Sequence, residues 1–263
     1  MNVMDGLHYE VHGSEGPYLL LVHGFLSSRS QWLPNLDALS AALRPVVIEL
    51  LGHGRSPAPE AEAAYAPAAY VDAFERVRRA VGAERWFVGG QSLGAALTLR
   101  YALDVPEAVI GQVFTNSSSA FAEDGWAERV RGAMDAQAAR LIEDGRAAID
   151  EHPLNPTRNT RLATAVRESL ARDCALHTAR GIANTGLYTV PGSSVRKRII
   201  ENTVPSLMVV GEREERFAAH RAFALRHMPH LEVVGLDGGH AVNMDAAEEF
   251  NAAVLSFIQR NTP

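Results

Sequence analysis

Short apolar runs alternate with longer stretches of helical period along most of the chain. Six runs read as strands: Tyr18–Val22, Pro45–Leu50, Arg85–Val88, Val109–Thr115, Pro205–Val210 and Leu231–Leu236. They are nearly continuous in apolar residues, the pattern of strands buried on both faces of a parallel sheet. Between them, Ser30–Leu43, Ala68–Val81, Leu93–Leu103, Phe217–Met228 and Ala246–Gln259 read as helices. Strand–helix alternation implies crossover connections, so the pattern predicts an α/β domain built on a doubly wound, mostly parallel sheet. Leu7–His12 is expected to add an antiparallel edge strand.

The rhythm breaks once. From about Ser119 to about Asn202 no convincing strand occurs, and helices are predicted over Ala122–Asp144, Thr160–Asp173 and Ala175–Asn184, separated by Pro153, Pro156, Pro191 and Gly192. The chain therefore reads as a core in two parts, 1–118 and 203–263, with a helical cap at 119–202. An insertion between consecutive strands should lie over their carboxyl ends, where open α/β sheets bind ligands. The Ala/Glu/Pro-rich stretch Pro57–Pro67 reads as a surface loop.

Composition narrows the functional classes. The chain has 263 residues, 47% of them hydrophobic, which suffices for one large α/β domain with an insertion. The formal charge is −6 and no basic block is present, so neither nucleic acid nor an anionic membrane is the expected partner. A small-molecule substrate is. Cys174 is the only cysteine and reads as a buried structural thiol. Met1–Gly6 lacks a charged n-region followed by an apolar stretch, and no apolar run approaches the ~18–20 residues of a membrane span. A cytoplasmic protein is the expectation. No His/Cys cluster has ligand spacing, so neither metal nor organic cofactor is expected.

The candidate chemistry centres on Gly90-Gln91-Ser92-Leu93-Gly94, directly after the run Arg85–Gly89. A Gly-x-Ser-x-Gly between a strand and a helix turns so tightly that the serine is strained and side chains two residues either side would collide. The following helix places free N–H groups and partial positive charge beside the hydroxyl. A serine hydroxyl needs a base within hydrogen-bond reach. Of ten histidines, His240 follows the last strand through Asp237-Gly238-Gly239 and should sit at the same sheet edge as Ser92. The base needs an orienting carboxylate. The loop after the run Pro205–Val210, Gly211-Glu212-Arg213-Glu214-Glu215-Arg216-Phe217, offers three; Glu214 is favoured, with Glu212 and Glu215 as rivals. The oxyanion donors are expected to be the backbone N–H groups of Leu93 and of Phe25, the latter in the loop His23-Gly24-Phe25-Leu26. His23 is expected to brace that loop at the pocket, and Trp126, Leu187 and Tyr188 are candidates to line it.

In these motifs the chain resembles the α/β-hydrolase superfamily along nearly its whole length. His23-Gly24-Phe25 resembles its oxyanion loop, Gly52-His53-Gly54-Arg55-Ser56 the turn after the next strand, Gly90–Gly94 the nucleophile elbow and Gly239-His240 the histidine loop, in the order serine, acid, histidine. Two positions depart from the superfamily's usual Asp: Glu214, and Glu49 before the Gly-His-Gly turn. Thr115–Ser119, the helical insertion and the Glu214 loop are also similar to the menaquinone-pathway synthase that eliminates pyruvate. That branch is expected to carry an arginine shortly after the elbow, whereas the first here is Arg100. Meta-cleavage C–C hydrolases, enol-lactonases and small carboxylesterases share the scaffold.

The resemblance implies a serine hydrolase acting on a small or medium carboxylic ester or lactone through an acyl-enzyme and a Ser-His-Glu triad. The alternatives are a C–C bond hydrolase or lyase acting on a ketone or enol, and, in another class, a ligand-binding or signalling protein on a hydrolase scaffold.

Overall fold

The computed structural model describes residues 6–262; Met1–Asp5, part of the segment read above for a leader, lies outside them. Seven strands form one sheet: β1 (Tyr9–Val11), β2 (Tyr18–Val22), β3 (Arg44–Ile48), β4 (Trp86–Gly90), β5 (Val109–Thr115), β6 (Ser206–Gly211) and β7 (Leu231–Leu236). Their order is β1-β3-β2-β4-β5-β6-β7, with only β1 antiparallel to its neighbour. The alternating α/β reading and the antiparallel edge strand both hold. All five residues of β4 are buried, as its unbroken apolar run requires, whereas the edge strand β7 is only partly covered.

The helices of the core are α1 (Leu33–Ser40), α2 (Pro67–Ala80) and α3 (Leu93–Asp104). On one face of the sheet, Tyr70, Phe74 and Val77 of α2 pack with Leu97 and Tyr101 of α3 against Val22, Ile48 and Val88. Each large apolar side chain so buried contributes about 1.5–3 kcal/mol. The sequence predicted helix from Ser30. Instead Arg29–Trp32 forms a 3-10 turn capped by the Ser28 hydroxyl, and α1 begins at Leu33, where Pro34 occupies the first turn.

Between β5 and β6 the chain forms α4 (Trp126–Asp144), α5 (Arg146–Glu151), α6 (Thr164–Cys174) and α7 (Ala179–Asn184), which runs into a π-helical turn, Thr185–Thr189. Helix α5 was not foreseen, and α7 starts four residues later than its apolar pattern suggested because Thr178 caps it, accepting from the Gly181 N–H at 3.3 Å. The chain then returns to the core with α8 (Ala218–His227), the unforeseen short α9 (Val242–Asp245) and α10 (Ala247–Asn261); Phe250, Val254 and Phe257 of α10 pack against the second face of the sheet. No helix of the described residues is long and apolar enough to cross a membrane.

The insertion rests on the loops that leave the carboxyl ends of β2 and β3. Thr178 donates its N–H to Gly52 O at 3.0 Å, and Leu26 is buried among Leu141, Ile149 and Ile182. Asp173, 2% exposed, accepts from the hydroxyls of Ser28 (2.9 Å) and Ser30 and pairs with Arg55 at 2.9 Å. Arg55 also reaches fully buried Glu49 at 3.4 Å. Beside them lie three buried imidazoles, His23, His53 and His177, with ring centroids 5.2 and 5.1 Å apart in succession.

Burial lowers all three: His23 to about 3, His177 to about 4 and His53 well below the ordinary imidazole value. The unfolded chain takes up protons near the ordinary value of about 6.5 while the folded protein refuses them. Their stabilisation is therefore complete above about pH 6.5 and is lost as pH falls towards the folded values, by up to about 1.4 kcal/mol per group per pH unit. The melting temperature is expected to drop steeply between about pH 6 and 4, and His177→Asn to make that drop shallower; a pH-independent melting temperature across this range would contradict the reading.

Candidate active site

Strand order places the loops that follow β2 and β4 side by side, although the chain leaves those two neighbours towards opposite edges of the sheet. This is the crevice at a topological switch point. Ser92 stands in it at the start of α3 with φ +54° and ψ −114°, a conformation that costs an L-residue on the order of 1–3 kcal/mol. Packing holds it there. A Cβ on Gly94 would lie 2.1 Å from Val22 O, so only glycine lets α3 sit this close to β2. A Cβ on Gly24 would lie 2.3 Å from Gln91 Oε1 and 3.2 Å from Ser92 Cβ, so the loop after β2 approaches the elbow at backbone distance.

The loop after β7 brings His240 to the serine. Its Nε2 lies 2.9 Å from Ser92 Oγ, and its Nδ1 lies 2.9 and 3.0 Å from the two carboxylate oxygens of Glu214. An ionised carboxylate only accepts, so Nδ1 carries the proton and Nε2 is free to accept from the serine hydroxyl. The His240 side chain is 39% exposed and that of Glu214 6%. Burial alone would raise the Glu214 carboxyl. The hydrogen bond and charge of His240, the Asn116 amide and the Arg216 guanidinium outweigh burial and hold it at about 2. Glu212 and Glu215 are exposed, and the Glu212 carboxylate lies against Gly235 of β7.

Asn116, at the end of β5 within Thr115–Ser119, was assigned no role of its own from the sequence. It is fully buried, and its amide donates to Glu214 Oε2 at 2.6 Å while exchanging hydrogen bonds with the Gly211 backbone at 3.3 Å in both directions. It thus ties the longer glutamate to the root of its own loop. Gln91 was also missed, although it lies inside the elbow motif. Its Nε2 donates to His240 O at 2.9 Å, linking the serine loop to the histidine loop. Gly239 N–H is held by Asp245 at 2.7 Å.

The N–H groups of Phe25 and Leu93 have no hydrogen-bond acceptor among the described residues. Leu93 is the first residue of α3, where an unsatisfied N–H is expected. His23 is fully buried; its Nδ1–H donates to Gly24 O at 2.7 Å and its Nε2 accepts from Leu50 N–H at 3.0 Å. It offers no polar atom to a ligand and acts as a brace beneath the loop. Because a peptide unit is planar and trans, pinning Gly24 O points the Phe25 N–H the opposite way.

The remaining pocket candidates are dispersed. Leu187 packs against the same apolar cluster of Leu26 and the insertion as Phe25 does. Tyr188 is raised by a hydrogen bond to Glu62, in the loop before α2. Trp126 lines a depression with Pro191, Ser194 and Arg196 whose walls include none of Ser92, His240 or Phe25. Among the described residues no group of His, Cys, Asp and Glu is disposed to hold a metal ion.

A profile described as the alpha/beta hydrolase fold matches residues 17–247. A Bacillus subtilis (strain 168) protein provisionally named 2-succinyl-6-hydroxy-2,4-cyclohexadiene-1-carboxylate synthase is 28% identical over 98% of this chain and 97% of its own. The carboxylesterase YbfK of the same organism is 25% identical over 93% of this chain and 81% of its own. Among solved structures, MenH from S. aureus superposes with a TM-score of 0.85 at 19% identity, covering 98% of this chain and 99% of that one.

If Glu214 orients His240, Glu214→Gln should lower kcat for an ester substrate by roughly 10³- to 10⁴-fold, the scale seen when a triad carboxylate is neutralised. Glu212→Gln and Glu215→Gln should leave kcat near wild type. Steady-state kinetics on the three variants checks this, and a dominant loss at Glu212 or Glu215 would displace Glu214 from the role. Asn116→Ala should fall between these limits, because the carboxylate then loses its amide anchor but keeps its contacts with the imidazole and the Arg216 guanidinium.

Proposed function

The chain belongs to the α/β-hydrolase fold family, and from that premise we propose that it is a serine hydrolase cleaving small or medium carboxylic esters or lactones through an acyl-enzyme. The observation that carries this reading is the continuous chain of contacts from Ser92 Oγ through His240 to both oxygens of Glu214, on a serine held in a strained turn.

His240 Nε2 takes the hydroxyl proton as Ser92 Oγ attacks the substrate carbonyl. The oxygen of the tetrahedral intermediate lies against the Phe25 and Leu93 N–H groups, each worth about 2.7–4 kcal/mol in the barrier. The intermediate collapses as His240 protonates the departing alkoxide, leaving the acyl group on Ser92. Water then attacks the acyl carbonyl with His240 as base, and the acid departs with Ser92 restored. Glu214 remains ionised throughout, since a carboxyl held at about 2 does not take the proton of an imidazolium. It stabilises the charged ring and keeps Nε2 aimed at the serine. The helical insertion acts as the cap that encloses the acyl or alcohol group, with Leu187, which packs on the same apolar cluster as Phe25, as a candidate wall.

A second reading is the lyase branch, favoured by the similarity to the B. subtilis synthase. The position of Arg100 weighs against it. Eight residues along α3 from Ser92 correspond to about 12 Å at 1.5 Å per residue, and the guanidinium pairs with Asp104 at 3.2 Å. The carboxylesterase relative supports the hydrolytic alternative.

A panel of short p-nitrophenyl esters, lactones and vinylogous diketones is expected to show turnover of esters or lactones that Ser92→Ala abolishes while leaving the melting temperature unchanged. A fluorophosphonate should add to Ser92, visible as one adduct by mass spectrometry. Turnover of the diketones alone would shift the reading to C–C chemistry, and undiminished ester hydrolysis by Ser92→Ala would remove the nucleophile.

A further inference from the structure

Two buried imidazoles, His53 and His177, take no part in the hydrolytic steps, yet both hold the residue next to Phe25. His53 Nε2 accepts the Leu26 N–H at 3.1 Å, while its Nδ1–H donates to Leu51 O at 2.9 Å. His177, between α6 and α7 of the insertion, donates Nε2–H to Leu26 O at 3.4 Å and accepts the Gly54 N–H at Nδ1 at 2.9 Å. Leu26 itself is fully buried with φ +60°, a left-handed conformation that a leucine rarely adopts and keeps only when its surroundings over-determine it.

These contacts pin successive peptide planes. The plane that carries the Phe25 N–H is held through Gly24 O, which accepts from His23 and from Ser27 N–H at 3.2 Å. The next plane is held by His53 on the Leu26 N–H, and the one after by His177 on Leu26 O. The Phe25 side chain is flanked by His53 and, from the insertion, by His152, with ring centroids 6.0 and 5.8 Å away. Burial keeps the His53 ring neutral, the state in which its Nε2 accepts.

We propose that His53 and His177 are positioning residues for the Phe25 oxyanion donor, and that His177 makes docking of the helical insertion a condition for a formed oxyanion hole. This rests on the hydrolase reading above and adds to it a coupling between the insertion and the rate of acyl transfer. A substrate or contact that lifts the insertion releases Leu26 O, and the strained Leu26 then relaxes and carries Phe25 with it. The loss falls on the transition state, where charge develops on the carbonyl oxygen, so kcat changes and KM does not.

Amide side chains separate this role from packing. At either position a glutamine amide reaches the site of Nε2 and preserves the contact with Leu26, whereas an asparagine amide reaches the site of Nδ1 and preserves only the contact with Leu51 or Gly54. His53→Asn and His177→Asn should lower kcat on a p-nitrophenyl ester towards the roughly 10²- to 10³-fold loss that follows removal of one oxyanion donor, with KM little changed. His53→Gln and His177→Gln should retain most of kcat. Melting temperatures of all four variants are measured alongside. If His53→Asn does not fold, the His177 pair at the insertion interface carries the comparison. Equal kcat within each Asn/Gln pair, or kcat that simply follows the melting temperature, overturns the proposal while a Ser92-dependent wild-type activity leaves the hydrolase reading standing. Wild-type protein without Ser92-dependent turnover overturns that reading, and this proposal with it.

Discussion

The strained turn at Ser92 is the constraint on which the arrangement depends. A serine at φ +54° is held only because β2, the loop after it and the start of α3 leave no room for the backbone to relax. The closeness that enforces the strain also assembles the site. With α3 pressed against Val22 O, the loop after β2 runs against the elbow, its Gly24 close to Gln91 and to Ser92 Cβ. Gln91 extends the constraint to the loop after β7, fixing the His240 backbone relative to the elbow. A buried sheet with small residues at two points thus converts packing energy into the alignment of the Ser92 hydroxyl with His240.

Glu214 shows how a longer side chain is accommodated. Glutamate has one more methylene than the aspartate usual in this family, and more rotamers to restrict. Here Asn116 and Arg216 hold its oxygens from two sides, and both oxygens face the imidazole. Because Asn116 also binds the Gly211 backbone, the carboxylate and the base of its loop form one unit. A neutral amide in this place supports the anion without competing for the histidine, as a second acid there would.

Polar contacts join the insertion to the core beside the apolar packing around Leu26 and Phe121. Asp173 gathers two hydroxyls and a guanidinium, and His177 reaches the backbone of two core loops. Buried networks of this kind are costly when half satisfied and specific when complete. They give the insertion a defined seat over the loops that surround Ser92, and they make that seat sensitive to acid through the neutral imidazoles.

The unbroken apolar runs determined the sheet, because only strands buried on both faces need to be apolar at every position. The elbow, the histidine loop and the Glu214 loop were legible for a related reason: tight turns at strand ends restrict which residues can occupy them, so the chemistry leaves a local mark. Helices α5 and α9 left no such mark, being too short for periodicity to register, and the start of α7 depended on a cap. The choice among Glu212, Glu214 and Glu215 was open in the sequence, where all three are neighbours in one loop. Only the folded chain separates them, since one alone meets His240 and the Asn116 amide. The roles of Asn116, Gln91, His53 and His177 were likewise decided by tertiary structure, because each acts on backbone tens to more than a hundred residues away, and no local pattern records a contact made across that distance.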